Sequence, residues 1–225
     1  MTFDPEIKSE IEKYSTAHIA DIDWHISFFS FVQNDKLAKR LGEEFLSARV
    51  LYKILTGMQA EGWMKRAQIR GQVFSYASIY EAVIHHLLFD RLATEPQVIA
   101  LTQFPTKKLI SIPKKHEAVL QQYLSHDGKR VIPTFETIGH TDESKVRFDR
   151  KAECAVELGF IKRALCDDLV EVYEARNAIH IHAEIRKNLD YQIHLSKKAY
   201  RRMQPFKDQI VAGLHARGLD QQRAR

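Results

Sequence analysis

Proline marks out the architecture of this 225-residue chain more than any other residue type. Of the six prolines, Pro96, Pro105, Pro113 and Pro133 fall between residues 94 and 145, together with Gly128 and Gly139. Proline lacks an N–H and fixes φ, so it interrupts helix interiors and central strands. Several long stretches outside that region contain neither proline nor glycine, which predicts a mainly all-α protein with an excursion between its helices. Inside the excursion, Leu109–Ile112 and Arg130–Ile132 read as short β runs around a short helix over 114–124, a small α/β-containing insert.

The helical parts carry their own punctuation. Asp4-Pro5 opens a helix over 5–20, with Asp4 as N-cap and Pro5 at the first helical position. The apolar run Ile26–Val32 is too short for a membrane and reads as core. Asn34 or Asp35 caps a second long helix, with Leu37, Leu41, Phe45, Ala48 and Leu55 at helical spacing up to Gly57. A third runs over 63–93, with a stripe through Val73 or Phe74, Ala77, Glu81, Ile84, Leu88 and Leu92. Helix resumes near Ser144 and stops at Gly159, runs again over 161–183, and ends with a segment over 195–214 that breaks at Pro205. The expected organisation is an N-terminal helical extension (1–34), one helical domain (35–215) interrupted by the insert (94–145), and a frayed tail (216–225).

Composition bounds the function more loosely. Apolar residues make up 44% of the chain, enough for a substantial core, and the net charge of +5 is compatible with a nucleic-acid partner without requiring one. Cys154 and Cys166 lack CxxC spacing and read as buried thiols of a reducing cytoplasm. The N-terminus shows no signal-peptide pattern, and no stretch has the ~18 apolar residues of a membrane span, so a cytoplasmic protein without membrane contact is expected.

The chemistry lies in Arg176-Asn177-Ala178-Ile179-His180-Ile181-His182. At 100° per residue, Leu165, Leu169, Val172, Ile179 and Ala183 share a stripe about 80° wide, and Arg176 falls in its middle. His180, one turn later, lies at the stripe's edge beside Tyr173. On the third helix Glu81 and His85 share the apolar stripe, which makes Glu81 a counter-charge for Arg176 in a bidentate pair if the helices pack. That pair would serve either as a buried structural ion pair or as the support of a site. His85-His86 and His180-x-His182 diverge on helices, and no Asp, Glu or Cys completes a set at zinc spacing, so neither a metal nor another cofactor is expected.

An arginine, a polar residue directly after it and a histidine late in a helix resemble the signature of the HEPN superfamily (higher eukaryotes and prokaryotes nucleotide-binding domains). His182, six residues after Arg176, fits the family spacing, whereas His180, four after, fits the helical geometry and a shorter Arg-Asn-x-Ile-His form. Ala77–Ile84 resembles the family's early core helix, where a glutamate is common, and the resemblance covers roughly residues 35–95 and 145–215.

The resemblance implies a HEPN-like bundle of four or five helices that forms a homodimer. It implies a metal-independent endoribonuclease acting on RNA, of the kind found in toxin–antitoxin, anti-phage defence and CRISPR systems. An antitoxin or another defence-system protein would then be a partner. Arg176, His180 or His182, and Asn177 would do the chemistry, with Glu81, His85 and Tyr173 in support. Basic residues such as Lys187, Lys197, Lys198, Arg201 and Arg202 would position the RNA or form a solvated helix face. The alternative is an inactive HEPN-like module that binds RNA or a partner protein.

Overall fold

The structure, a computed structural model, describes residues 2–177 and 193–220. The chain is mainly helical and divides into two compact units, one formed by Met1–Ala93 and Arg147–Arg225, the other by Thr94–Val146.

The first unit begins with α1 (Pro5–Thr16), where Pro5 sits in the first turn and the Asp4 carboxylate accepts from the Glu6 N–H. Helix α2 (Ile22–Phe28) and a 3₁₀ turn (Ser30–Val32) follow, and the apolar run here does enter the core: Phe28, Phe29 and Val32 are buried. In α3 (Asp35–Gly57), Asn34 is the cap, its side chain accepting from the Leu37 N–H. Helix α4 (Gly62–His85) continues into a π-helical turn (His86–Arg91), so the long third helix of the sequence is two segments.

Helix α4 also differs from its expected single stripe. Gln72, Val73, Tyr76, Ile79, Tyr80 and Val83 point in different directions and are all buried, whereas Phe74 is 45% exposed. A helix buried on most sides belongs in the middle of a bundle, and α4 packs against α3 and, once the chain returns, against α7 (Phe148–Glu157), α8 (Arg163–Asn177) and α9 (Ile193–Arg201).

Gly159, at φ +79°, closes the turn after α7 as a C-terminal glycine should. The last helix, α10 (Met203–Ala216), is separated from α9 at Arg202 and not at Pro205. Proline clashes with the carbonyl four residues before it, so the break falls upstream and Pro205 sits in α10's first turn, where its missing N–H does no harm.

The second unit comprises α5 (Pro96–Thr102), β1 (Gln103–Leu109), α6 (Lys114–Tyr123), β2 (Ser125–His126), β3 (Lys129–Arg130) and β4 (Thr134–His140). β1 pairs antiparallel with β4, Gln103 opposite His140 and Leu109 opposite Thr134, and β2 pairs with β3 around Asp127-Gly128. The strands therefore meet the expected runs only at Leu109 and Arg130. Ile110 to Ile112 fall after β1, and Val131 and Ile132 fall between β3 and β4. Pro113 and Pro133 bound those apolar runs, and the ladder forms before and after them, between Gln103–Leu109 and Thr134–His140; Pro105 is accommodated inside β1 because a two-stranded sheet has only edge strands.

Candidate active site

The candidate site lies where α4, α7 and α8 meet within the first unit. Phe74 lies under Arg176, while Glu81, two turns along α4, meets Tyr173, one turn earlier on α8, so the two helices run antiparallel. This arrangement brings four of the expected residues together: Arg176, Asn177, Tyr173 and Glu81.

Their contacts form a directed chain. Arg176 Nη1 donates to the Tyr173 hydroxyl at 3.3 Å and to Asn177 Oδ1 at 3.1 Å, and the Tyr173 hydroxyl donates to Glu81 Oε1 at 3.0 Å. Burial, reinforced by the neighbouring Glu81 carboxylate, pushes the Tyr173 hydroxyl up to about 12. It therefore stays protonated at neutral pH and serves both partners at once. Phe148 of α7 stacks on the Tyr173 ring at 4.3 Å and holds it in place.

The expected bidentate pair between Glu81 and Arg176 is not what forms. Tyr173 stands between them, and the cation beside Glu81 is Lys151 of α7, with Nζ at 4.0 Å from Oε1. Arg176 does lie on the stripe of buried Leu165, Leu169 and Val172, but it sits in the last turn of α8 and is only half-buried. Its guanidinium lies over the exposed Phe74 ring at 5.5 Å and the Tyr173 ring at 5.2 Å. A guanidinium can cover an apolar surface in this way while its charged head stays near water.

His85 takes a different role from the one expected beside Arg176. Its Nδ1 accepts from Lys151 Nζ at 3.2 Å, and its ring packs against Phe89 at 4.9 Å. Lys151 itself is 1% exposed, held by His85, Glu81 and the Phe89 ring. Its signal was present in the sequence: Lys151 is three residues after Phe148 and four before Ala155, both buried. A charge on an apolar stripe marks α7 just as Arg176 marks α8.

His180 and His182 lie outside the described residues, as does Lys187. His86 is engaged structurally, its Nε2 donating to the Val32 carbonyl at 2.9 Å and its Nδ1 2.6 Å from Asp90. Among the described residues no three His, Cys, Asp or Glu side chains are grouped to hold a metal ion, and no helix is long and apolar enough to cross a membrane.

The basic run divides. Arg202 donates to Asp168 at 2.6 Å and Lys198 to Glu171 at 2.8 Å, so these two tie α9 to α8. Lys197 and Arg201 are exposed and point to a different cavity. Compared with known proteins, the chain matches no family model, no curated protein sequence and no solved structure.

Proposed function

We propose that this protein is a HEPN-like, metal-independent endoribonuclease, with Arg176 as the phosphate-binding cation. One observation carries the reading: the guanidinium is oriented by Tyr173, Asn177 and Phe74, yet among the described residues no carboxylate contacts it directly. A charge held in place but still available is what a developing phosphorane needs. Glu81 acts at one remove, holding Tyr173, which in turn holds the arginine.

In the reaction, the RNA 2′-oxygen attacks the adjacent phosphorus as its proton passes to a histidine. The bond from phosphorus to the 5′-oxygen then breaks, and that oxygen takes up a proton. The products are a 2′,3′-cyclic phosphate and a 5′-hydroxyl. Histidine suits the proton transfers because its ordinary pKa lies near neutrality; His180 and His182 are the two candidates from the Arg176 motif. A two-fold dimer would bring two copies of the motif to one cleft, and a role in toxin or anti-phage defence systems follows from the same reading.

The second reading, an inactive module that binds RNA or a partner protein, is favoured by the buried Lys151, which gives Glu81 and His85 a structural task. The two readings separate on one experiment. Wild type and the Arg176→Ala, His180→Ala and His182→Ala variants are incubated in EDTA with single-stranded and structured RNA. The expected result is wild-type cleavage, loss of at least about a hundredfold in Arg176→Ala, and loss in one of the two histidine variants. Because Arg176 is half-buried and its ring contacts are worth about 1 kcal/mol, the variant should keep its circular dichroism spectrum. A folded wild type that leaves every RNA intact counts against the ribonuclease and favours the module reading instead.

A further inference from the structure

A second site lies on the opposite face of α4. At 100° per residue, Gln72 and Tyr76 project within about 40° of each other, while Phe74 and Glu81 project about 180–200° away from Gln72. Gln72 and Tyr76, with α3 and α9, line a cavity of about 340 Å³, within the ~300–1,000 Å³ typical of small-molecule sites. We propose that this cavity binds a small phosphate monoester that carries a flat ring and a hydrogen-bond donor.

The charge of the walls selects an anion. Arg49, Lys53, Lys197 and Arg201 all line the cavity, and among the described residues no carboxylate does. Among the described residues none of the four forms a salt bridge. Four like charges around one space repel each other unless an anion joins them. Arg49 is built in rather than loosely placed. Its guanidinium lies against the Trp24, Phe45 and Tyr200 rings at 5.8–5.9 Å, and its Nη1 donates to His25 Nε2 at 3.2 Å.

The partner of that hydrogen bond is neutral. Burial, above all, holds His25 below its ordinary value, and its Nδ1–H donates to the Asp21 carbonyl at 2.7 Å. The protein thus orients a guanidinium with a neutral histidine and three aromatic faces, and leaves its charge for something else. Phosphate suits an arginine flanked by lysines, since it accepts several charge-assisted bonds at once.

The other walls select the ring and the donor. Tyr52, Tyr76 and Tyr200 supply aromatic surface, which favours a flat, polarisable group over a bare phosphate. Gln72 is only 2% exposed, and its Oε1 has no hydrogen-bond partner among the described residues. Its Nε2 makes only a long contact of 3.5 Å to the Ala48 carbonyl. A buried acceptor without a donor is unfavourable, and a ligand N–H or O–H in the cavity that Gln72 lines supplies the missing bond. Nucleoside monophosphates and phosphorylated aromatic metabolites share this chemistry.

The test is calorimetric titration of the full chain with 5′-AMP and with pyridoxine 5′-phosphate, each of which carries an aromatic ring, a donor and a phosphate monoester. Ribose 5-phosphate and inorganic phosphate serve as controls, ringless in the sense of carrying no flat aromatic ring. The expected result is that at least one ring-bearing phosphate binds at least about tenfold more tightly than both ringless ones. Preference for 5′-AMP identifies the nucleotide source, and preference for pyridoxine 5′-phosphate the other. Lys197→Glu/Arg201→Glu, two exposed changes on α9, should weaken that binding at least about tenfold with the fold intact. Gln72→Leu should weaken 5′-AMP or pyridoxine 5′-phosphate binding without lowering thermal stability, which a merely structural glutamine would not do. Arg176→Ala should bind as wild type does, so this proposal stands or falls apart from the ribonuclease reading. Absence of binding by both ring phosphates at about 1 mM, equal binding of the ringless controls, or binding unchanged in Lys197→Glu/Arg201→Glu would overturn it.

Discussion

Three charged residues sit on apolar helix faces in the first unit, and their surroundings give them different work. Arg176, at the end of α8, slides over two rings toward water and keeps its charge available. Lys151, in the interior of α7, is enclosed, and Glu81 stands between them, 29% exposed in its side chain. Removing one partner of an enclosed ion pair is more damaging than replacing the enclosed charge by an apolar group of similar size. Glu81→Ala should therefore destabilise the protein by about 2–3 kcal/mol, toward the low end of the buried-pair range because the carboxylate is partly solvated. Lys151→Met should cost about 1 kcal/mol or less, because Glu81 keeps water and the Tyr173 hydroxyl. Urea unfolding midpoints of the two variants measure the contrast, and equal losses would contradict this assignment of roles. Arg176 was visible in the sequence as a charge on an apolar stripe. Its partial exposure was not, because the stripe says which way a side chain points and not where the neighbouring helix stops covering it.

Among the elements, caps and breaks were the most legible. Asp4, Asn34 and Gly159 act through contacts with residues a few positions away, so sequence alone exposes them. Strand limits in the second unit were not legible, since a strand needs a partner, and Gln103–Leu109 finds one in Thr134–His140 rather than in the apolar run that looked more β-like. Helix crossings are equally hidden. Gly42 of α3 lies against the backbone of α2, where an added Cβ would stand 2.7 Å from the Ile26 nitrogen. No side chain can yield there, since the obstacle is main chain. Gly42→Ala should push α2 from α3 and destabilise by about 2–3 kcal/mol, near the top of the overpacking range, despite alanine's better helix propensity. Thermal unfolding would show it as a lowered Tm, whereas a rise would mean that α2 moves freely.

At the level of the whole molecule, the reading of Arg176 as a phosphate-binding cation carries an expectation of assembly. One chain offers one Arg176 motif, and a cleft with two copies needs a two-fold partner. Light scattering coupled to size exclusion should return twice the chain mass, unchanged by Arg176→Ala. A monomer that still cleaves RNA would remove the shared cleft from the mechanism and leave the single-chain site. Within the first unit, α4 separates two polar regions, the Tyr173–Arg176 chain on one face and the Arg49 cavity on the other. The sequence by itself determined the helical class, the local caps, the proline-dense region and the anomaly at Arg176, because each depends on periodicity or on neighbours within a few residues. Only the tertiary structure decided that Tyr173 stands between Arg176 and Glu81, that Lys151 is enclosed with His85, and that Gln72 and four cations from α3 and α9 face one cavity. Those contacts join residues tens of positions apart, and their geometry comes from how helices buried on several sides pack together, which no single helix's pattern contains.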